Sequence, residues 1–269
     1  MLQFGFQNTG MGGKAAIRWW IERLRTPYPL HVRIIVMIGL ISAVAFEAGL
    51  ITGQLKEDKV SPLLAQGTIS GKKAAYICSG IGAANAARAV SILAERKKPE
   101  AMILFGVGGA YPYSGLKKGG LAAAEVEIYA DCGLVVQRPA GSEGPSRGFE
   151  ALGFPLLKKG RKEYFDSFPL DRPLLAKAKK MPGLVTGAFL TVCATGRSVR
   201  KAGRLGERHG AIVENMEGAA AAQTALFYGI PLLEIRGISN ITGEPPSKWL
   251  KEEAAAVCQE AVLEILQVL

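Results

Sequence analysis

The chain predicts an α/β fold, a single-domain three-layer αβα sandwich around a mixed, largely parallel sheet. Three observations predict it. From Ile34 onward, short apolar runs alternate with Ala-rich stretches. Runs such as Ala101-Met102-Ile103-Leu104-Phe105 are continuously apolar, as suits strands covered on both faces. A length of 269 residues at 49% hydrophobic content is enough for one large packed domain.

Residues 1–36 do not share this pattern and are expected to form an N-terminal appendage. A Gly-rich polar start leads into Ala15–Arg25, a short amphipathic helix, which Thr26-Pro27-Tyr28-Pro29 breaks. Ile34–Phe46 is apolar but shorter than the about 20 residues a membrane-crossing helix needs. Its tail, Ala43-Val44-Ala45, also fits a signal-peptide cleavage site. Cleavage there would remove the first strand of the fold, so the strand reading is preferred.

Strands are expected at 34–42, 58–70, 72–78, 101–106, 120–128, 184–194, 211–214 and 231–238. Helices are expected at 44–53, 83–97, 170–180, 197–208, 216–228 and 247–267. Ser79-Gly80-Ile81-Gly82 closes one strand and opens the helix that follows. Gly106-Val107-Gly108-Gly109 reads as a turn just past a strand end, where a planar ligand or a sugar can approach the main chain. Pro139–Gly148, rich in Gly, Ser and Pro, is expected to be a loop. Val213–Ala222 reads as strand, acidic turn and Ala-rich helix. Ile230–Asn240 reads as an apolar strand opening into a polar loop at Ser239 and Asn240. In open sheets of this kind, ligands sit beyond the carboxyl ends of strands.

Composition narrows the function classes. Cys78, Cys132, Cys193 and Cys258 are widely spaced with no CxxC, which favours reduced thiols in a cytoplasmic protein and disfavours a zinc site. His31 and His209 are the two histidines, too few for a multi-His metal site. The net charge is +10, and residues 1–36 carry five cations against Glu22. An ordinary basic surface accounts for this charge without a nucleic-acid partner or a membrane.

Several polar residues fall where chemistry could use them. Glu47 follows the first strand, where a carboxylate can position or deprotonate water; a helix-terminal acid is the alternative. Glu217 opens a helix and can accept hydrogen bonds from vicinal hydroxyls or cap the helix. Arg236 ends an apolar strand, so its guanidinium must pair with carboxylates, Glu47 and Glu217 being the candidates.

The runs Val213-Glu214-Asn215-Met216-Glu217-Gly218 and Arg236-Gly237-Ile238-Ser239-Asn240 resemble the ribose and purine motifs of purine nucleosidases in the nucleoside phosphorylase superfamily, a family that includes 5′-methylthioadenosine/S-adenosylhomocysteine nucleosidases. Ala110-Tyr111-Pro112 and Tyr129-Ala130-Asp131 resemble the futalosine hydrolase branch. The resemblance covers residues 37–267, implying a nucleosidase domain over 37–269. It implies Glu47 as hydrolytic base, Arg236 as the group orienting acids and water, and Asn240 as stabiliser of the leaving base. It also implies substrate contacts from Val107, Gly108, Phe189, Leu190, Asn215, Met216, Glu217 and Ser239, with Phe189 against the purine face and Met216 on the ribose. An Asn amide at 240 donates to a 6-oxopurine, whereas an Asp suits a 6-aminopurine.

The expected reaction is hydrolysis of futalosine to dehypoxanthine futalosine and hypoxanthine, in menaquinone biosynthesis, with no cofactor or metal. A methylthioadenosine-type nucleosidase and a purine nucleoside phosphorylase are the enzymatic alternatives. A non-catalytic nucleoside- or nucleic-acid-binding protein is the alternative of another class. The resemblance further implies a homodimer or larger homo-oligomer.

Overall fold

A computed structural model describes residues 37–58, 63–137, 147–150 and 152–269. The expected appendage 1–36 and most of the expected loop 139–148 lie outside them; Arg147 and Gly148 belong to a strand.

In order, the elements begin with β1 (Met37–Ser42), a 3-10 turn (Ala45–Ala48) and the short α1 (Gly49–Thr52). Then come β2 (Leu55–Glu57), β3 (Leu64–Ile69), β4 (Lys72–Cys78), α2 (Ala83–Arg96) and β5 (Ala101–Ala110). After these come β6 (Leu121–Tyr129), β7 (Leu134–Gln137), β8 (Arg147–Glu150), β9 (Leu157–Lys159), β10 (Lys162–Tyr164) and β11 (Ser167–Pro169). The chain continues through α3 (Arg172–Ala178), β12 (Leu184–Thr191), α4 (Val199–His209), β13 (Ala211–Asn215) and α5 (Gly218–Tyr228). It ends with β14 (Leu232–Ile241), a 3-10 turn (Pro246–Lys248) and α6 (Lys251–Val268). Local chemistry sets several of these ends. The Asp171 side chain accepts from Leu174 N and starts α3; Gly210 and Gly229 close α4 and α5 in the left-handed conformation.

The main sheet has the order β11-β6-β12-β13-β5-β1-β4-β3-β2. β1 is parallel to β4 and β5, β12 is parallel to β6 and β13, and β14 is parallel to β5. β2–β3, β3–β4, β11–β6, β13–β5 and β14–β6 are antiparallel. Because β14 pairs with both β5 and β6, the strands β6-β12-β13-β5-β14 close on themselves as a ring inside the larger sheet.

Helices cover both faces. α2 and α5 pack over one core through Ala86, Val90, Leu93, Ala221 and Ala225. α1, α3 and α6 pack over the other through Ile51, Leu174, Cys258, Val262 and Ile265. A smaller cluster, with Tyr111, Leu190, Val192 and Ala202, lies beneath α4.

The structure corrects several expected boundaries. The strand expected at 101–106 continues to Ala110, so Gly106–Gly109 is strand and not turn. Its glycines pair with neighbours on both sides, Gly109 with Glu214 and Gly108 with Ile238. The polar loop expected after 238 is likewise strand up to Ile241, with a register shift between Ile238 and Asn240. Such a shift re-aims side chains where a regular ladder could not. The strand expected at 58–70 is shorter, β3 alone, and it pairs antiparallel with an unexpected strand before that range, β2; the helix expected at 44–53 is a 3-10 turn joined to α1.

Candidate active site

A cavity of about 310 Å³ opens where the carboxyl ends of β1 and β4 meet β5, β13 and β14. The segment after β1 lends Val44, Phe46 and Glu47; the turn after β4 lends Ile81. From β5 come Val107, Gly108 and Gly109, and Thr195 reaches in from the segment after β12. β13 and the start of α5 contribute Glu214, Asn215, Met216 and Glu217, and β14 contributes Ser239 and Asn240. Trp249 and Lys251 complete the wall.

Glu47 is buried. One carboxyl oxygen accepts from Ala43 N (3.0 Å) and Val44 N (3.1 Å), and the other from Val107 N (2.8 Å). These bonds fix its orientation and leave each oxygen with further acceptor capacity. Burial raises its carboxyl above the ordinary 4.5, while the Arg236 charge and the N–H bonds pull it back. A carboxyl so placed has a proton affinity moved toward neutral pH, as a general base requires. Its approach depends on Gly106, where a β-carbon would stand 2.5 Å from Glu47 Oε1.

Glu217 does not cap its helix with its side chain. Asn215 and Thr191 satisfy the first N–H groups of α5 instead. Asn215 Oδ1 accepts from Glu217 N (2.9 Å) and Gly218 N (2.7 Å), and Thr191 Oγ1 from Ala219 N (2.7 Å). Glu217 is thereby freed to face the cavity. It accepts from Gly82 N (2.9 Å) and pairs with Arg236 Nη2 at 3.3 Å. The Gly-rich turn after β4 thus supplies a main-chain donor to an acidic side chain.

Arg236 is 1% exposed and does not line the cavity. Its partners differ in part from those expected. Nε donates to Glu234 Oε1 (2.9 Å), Nη2 to Glu217, and Nη1 to Val107 O (3.3 Å). Among these bonds Glu234 takes the place expected for Glu47, which faces Arg236 only through space. Burial works against the Arg236 charge, but Glu234, Glu217 and Glu47 more than offset it, so the guanidinium stays charged. Behind it lies Glu127, fully buried, which accepts from Asn215 Nδ2 (2.5 Å) and Thr191 Oγ1 (2.8 Å).

At the other end of the cavity, Ser239 Oγ lies 2.8 Å from Asn240 Oδ1 and 3.2 Å from Gly108 O. Asn240 Nδ2 donates to Ile241 O at 3.1 Å. With Oδ1 turned to a hydroxyl donor, the amide presents its NH₂, whose second N–H is left for a ligand. Glu214 accepts from Tyr111 Oη (3.1 Å), and burial raises its carboxyl against the hydrogen bonds from Thr195 and Tyr111.

Of the expected residues, Glu47, Val107, Gly108, Asn215, Met216, Glu217, Ser239 and Asn240 line one cavity. Phe189 and Leu190 do not. Both lie near the carboxyl end of β12, flanked by β6 and β13, with Phe189 in the core under α2 and α5 and Leu190 in the cluster under α4. The chain reaches the cavity only beyond the end of β12, at Thr195. Asn215 contributes wall, but its side chain is engaged by the helix and Glu127. Trp249, Lys251, Thr195, Glu127 and Glu234 were not expected. For Glu234 a signal was present, a carboxylate inside the apolar run Leu232-Leu233-Glu234-Ile235.

Among the described residues, no group of three or more His, Cys, Asp or Glu is placed to hold a metal ion, and no helix is long and apolar enough to cross a membrane.

Comparison with known proteins agrees with this fold. The sequence pattern of the phosphorylase superfamily matches residues 37–269. A futalosine hydrolase of Thermus thermophilus is 36% identical over 192 residues, 71% of this chain and 80% of that protein. A 5′-methylthioadenosine/S-adenosylhomocysteine nucleosidase of Maridesulfovibrio salexigens is 26% identical over 86% of this chain and 98% of its own. The crystal structure of the Streptococcus pneumoniae MTA/SAH nucleosidase with 8-aminoadenine shares the fold, with a TM-score of 0.71 at 24% identity over 87% of this chain and all of that one.

Proposed function

The chain belongs to the phosphorylase superfamily and, within it, to the futalosine hydrolases, hydrolases of N-glycosyl bonds; from that premise we propose that it cleaves futalosine and releases hypoxanthine. The observation that carries the choice of base is the Asn240 amide, turned by Ser239 so that it offers an N–H at the cavity wall.

As the C–N bond breaks, negative charge grows on the purine and positive charge on the sugar. A 6-oxopurine presents the N7 and O6 acceptors, and Asn240 donates to them without charge repulsion. On the sugar side, Glu217 accepts from the ribose hydroxyls, and its charge favours the oxocarbenium-like transition state. Met216 packs against the ribose. Glu47 holds the attacking water and takes its proton. Arg236 acts from behind, holding Glu217. No metal or organic cofactor enters this scheme. The reading places the reaction in menaquinone biosynthesis, in the cytoplasm, in a homo-oligomer.

Base release from futalosine, inosine and methylthioadenosine, each with and without phosphate, tests the proposal. Phosphate-independent release of hypoxanthine from futalosine is expected. Adenine release from methylthioadenosine in its place would overturn the assignment of Asn240, and a requirement for phosphate would overturn hydrolysis.

A further inference from the structure

We propose that Glu127 and Glu234 share a single proton, and that this carboxyl pair is a positioning unit that sets Arg236 and, through it, Glu217. The inference deepens the nucleosidase reading and, in its kinetic arm alone, rests on it.

Four carboxyl groups (Glu47, Glu127, Glu217 and Glu234) surround one guanidinium, and all five side chains are buried. With every carboxyl ionised, the cluster would hold a large uncompensated negative charge away from water, which is prohibitively costly. At least one proton must therefore be retained, and hydrogen bonding locates it. Glu127 accepts at both oxygens, from Asn215 Nδ2 and Thr191 Oγ1. Glu234 Oε1 accepts from Arg236 Nε, but Glu234 Oε2 is buried without any donor. A buried carboxylate oxygen left unpaired is expensive.

Its neighbour is Glu127. A β-carbon on Gly218 would stand 2.1 Å from Glu127 Oε1 and 2.5 Å from Glu234 Oε2, so the two carboxyls converge on one point that only glycine leaves open. A proton on Glu127 Oε1, directed at Glu234 Oε2, supplies the missing donor. Glu234 then remains the anion that pairs with Arg236. Burial and the mutual repulsion of the pair raise the Glu127 carboxyl well above its ordinary range; burial raises Glu234 also, with Arg236 opposing.

The other groups facing the pair do not replace this proton. Glu217 at the start of α5 and Glu47 on the 3-10 turn are themselves acids. Tyr111 and Tyr129 are raised by burial and are further opposed by the Glu127 charge. Cys258 on α6 is pushed up to about 12 by burial and stays a thiol. Arg236 is the one cation among these groups. The connected path is therefore Glu127–H···Glu234⁻···Arg236⁺···Glu217⁻, with Asn215 joining Glu127 to the main chain at Glu217 and Gly218.

Two measurements test it. Infrared spectra of the full chain in D₂O, with glutamate ¹³C-labelled, should contain a protonated-carboxyl stretch at pH 7 that is lost in both E127Q and E234Q. No substrate is involved, so this arm is independent of the assigned reaction. Absence of the band, or its persistence in both variants, overturns the shared proton. In the kinetic arm, each single amide variant keeps one negative charge opposite Arg236 and should retain kcat/KM within about threefold at neutral pH. Each should also lose the alkaline limb that the shared proton gives the parent. The double variant E127Q/E234Q removes the charge and should lower kcat by about tenfold or more with less change in KM. Single variants that keep the parent's alkaline limb, or a double variant with the parent's kcat, overturn the positioning role. If release of hypoxanthine fails in the parent, the proposed reaction falls while the infrared result still decides the pair.

Discussion

At the scale of single residues, the site depends on a few polar groups whose environments pull them in different directions. In the proposed scheme Glu47 is the base, and burial raises it, so turnover should be lost as pH falls through its elevated value. The acid limb of kcat/KM should therefore lie above 4.5, and E47Q should lower kcat by about 10² to 10⁴ at all pH values; a pH–rate profile of both proteins checks this. Asn240 makes a sharper prediction. Replacing its N–H donor by a carboxylate, N240D, should cost about 10²-fold in hypoxanthine release. Measured by chromatography of the freed base, equal rates for N240D and the parent would exclude the donor role. Glu47, Glu217 and Arg236 were legible from residue type and position along the chain, and Asn240 from the family resemblance. Glu234 left a signal in its apolar run, but Glu127 did not, because a carboxylate in a strand reads as solvent-facing until the neighbouring strands and α5 are seen to enclose it.

At the scale of elements, the boundaries that were misjudged are the ones that matter for the site. Glycines in Gly106-Val107-Gly108-Gly109 suggest a turn, yet pairing with β13 and β14 keeps β5 extended through all four. Local preference yields there to a ladder completed by strands more than a hundred residues away. The same reasoning explains Phe189. The family resemblance implies that Phe189 meets the purine face, whereas the ladder of β12 with β6 and β13 keeps it in the core and Thr195 reaches the cavity. An element-scale test follows at Gly106. G106A places a β-carbon 2.5 Å from Glu47 Oε1 and must push the carboxyl off its Val107 N–H. We expect kcat to fall by about tenfold or more, with a destabilisation of about 1–3 kcal/mol in urea titration. Unchanged kcat would mean that the orientation of Glu47 is dispensable.

At the scale of the whole molecule, the alternation of apolar and Ala-rich segments was sufficient for the layered α/β architecture, because each apolar run must be covered on both faces. The closure of part of the sheet was beyond that pattern, since β14 reads the same whether it has one neighbour or two. In the fold it has both, and the consequence lies in how the protein opens. A strand inside a closed ring has no free side from which to peel, whereas β2 lies at the end of the sheet with a single partner, β3. Opening should therefore be graded. Amide hydrogens of β2 and β3 should exchange with solvent through small local excursions, while those of β5, β6 and β14 exchange only when the ring breaks as a unit. Arg236 and Asn240 lie on β14 and Glu127 on β6, so the polar apparatus is carried by the segments that should be last to let solvent in.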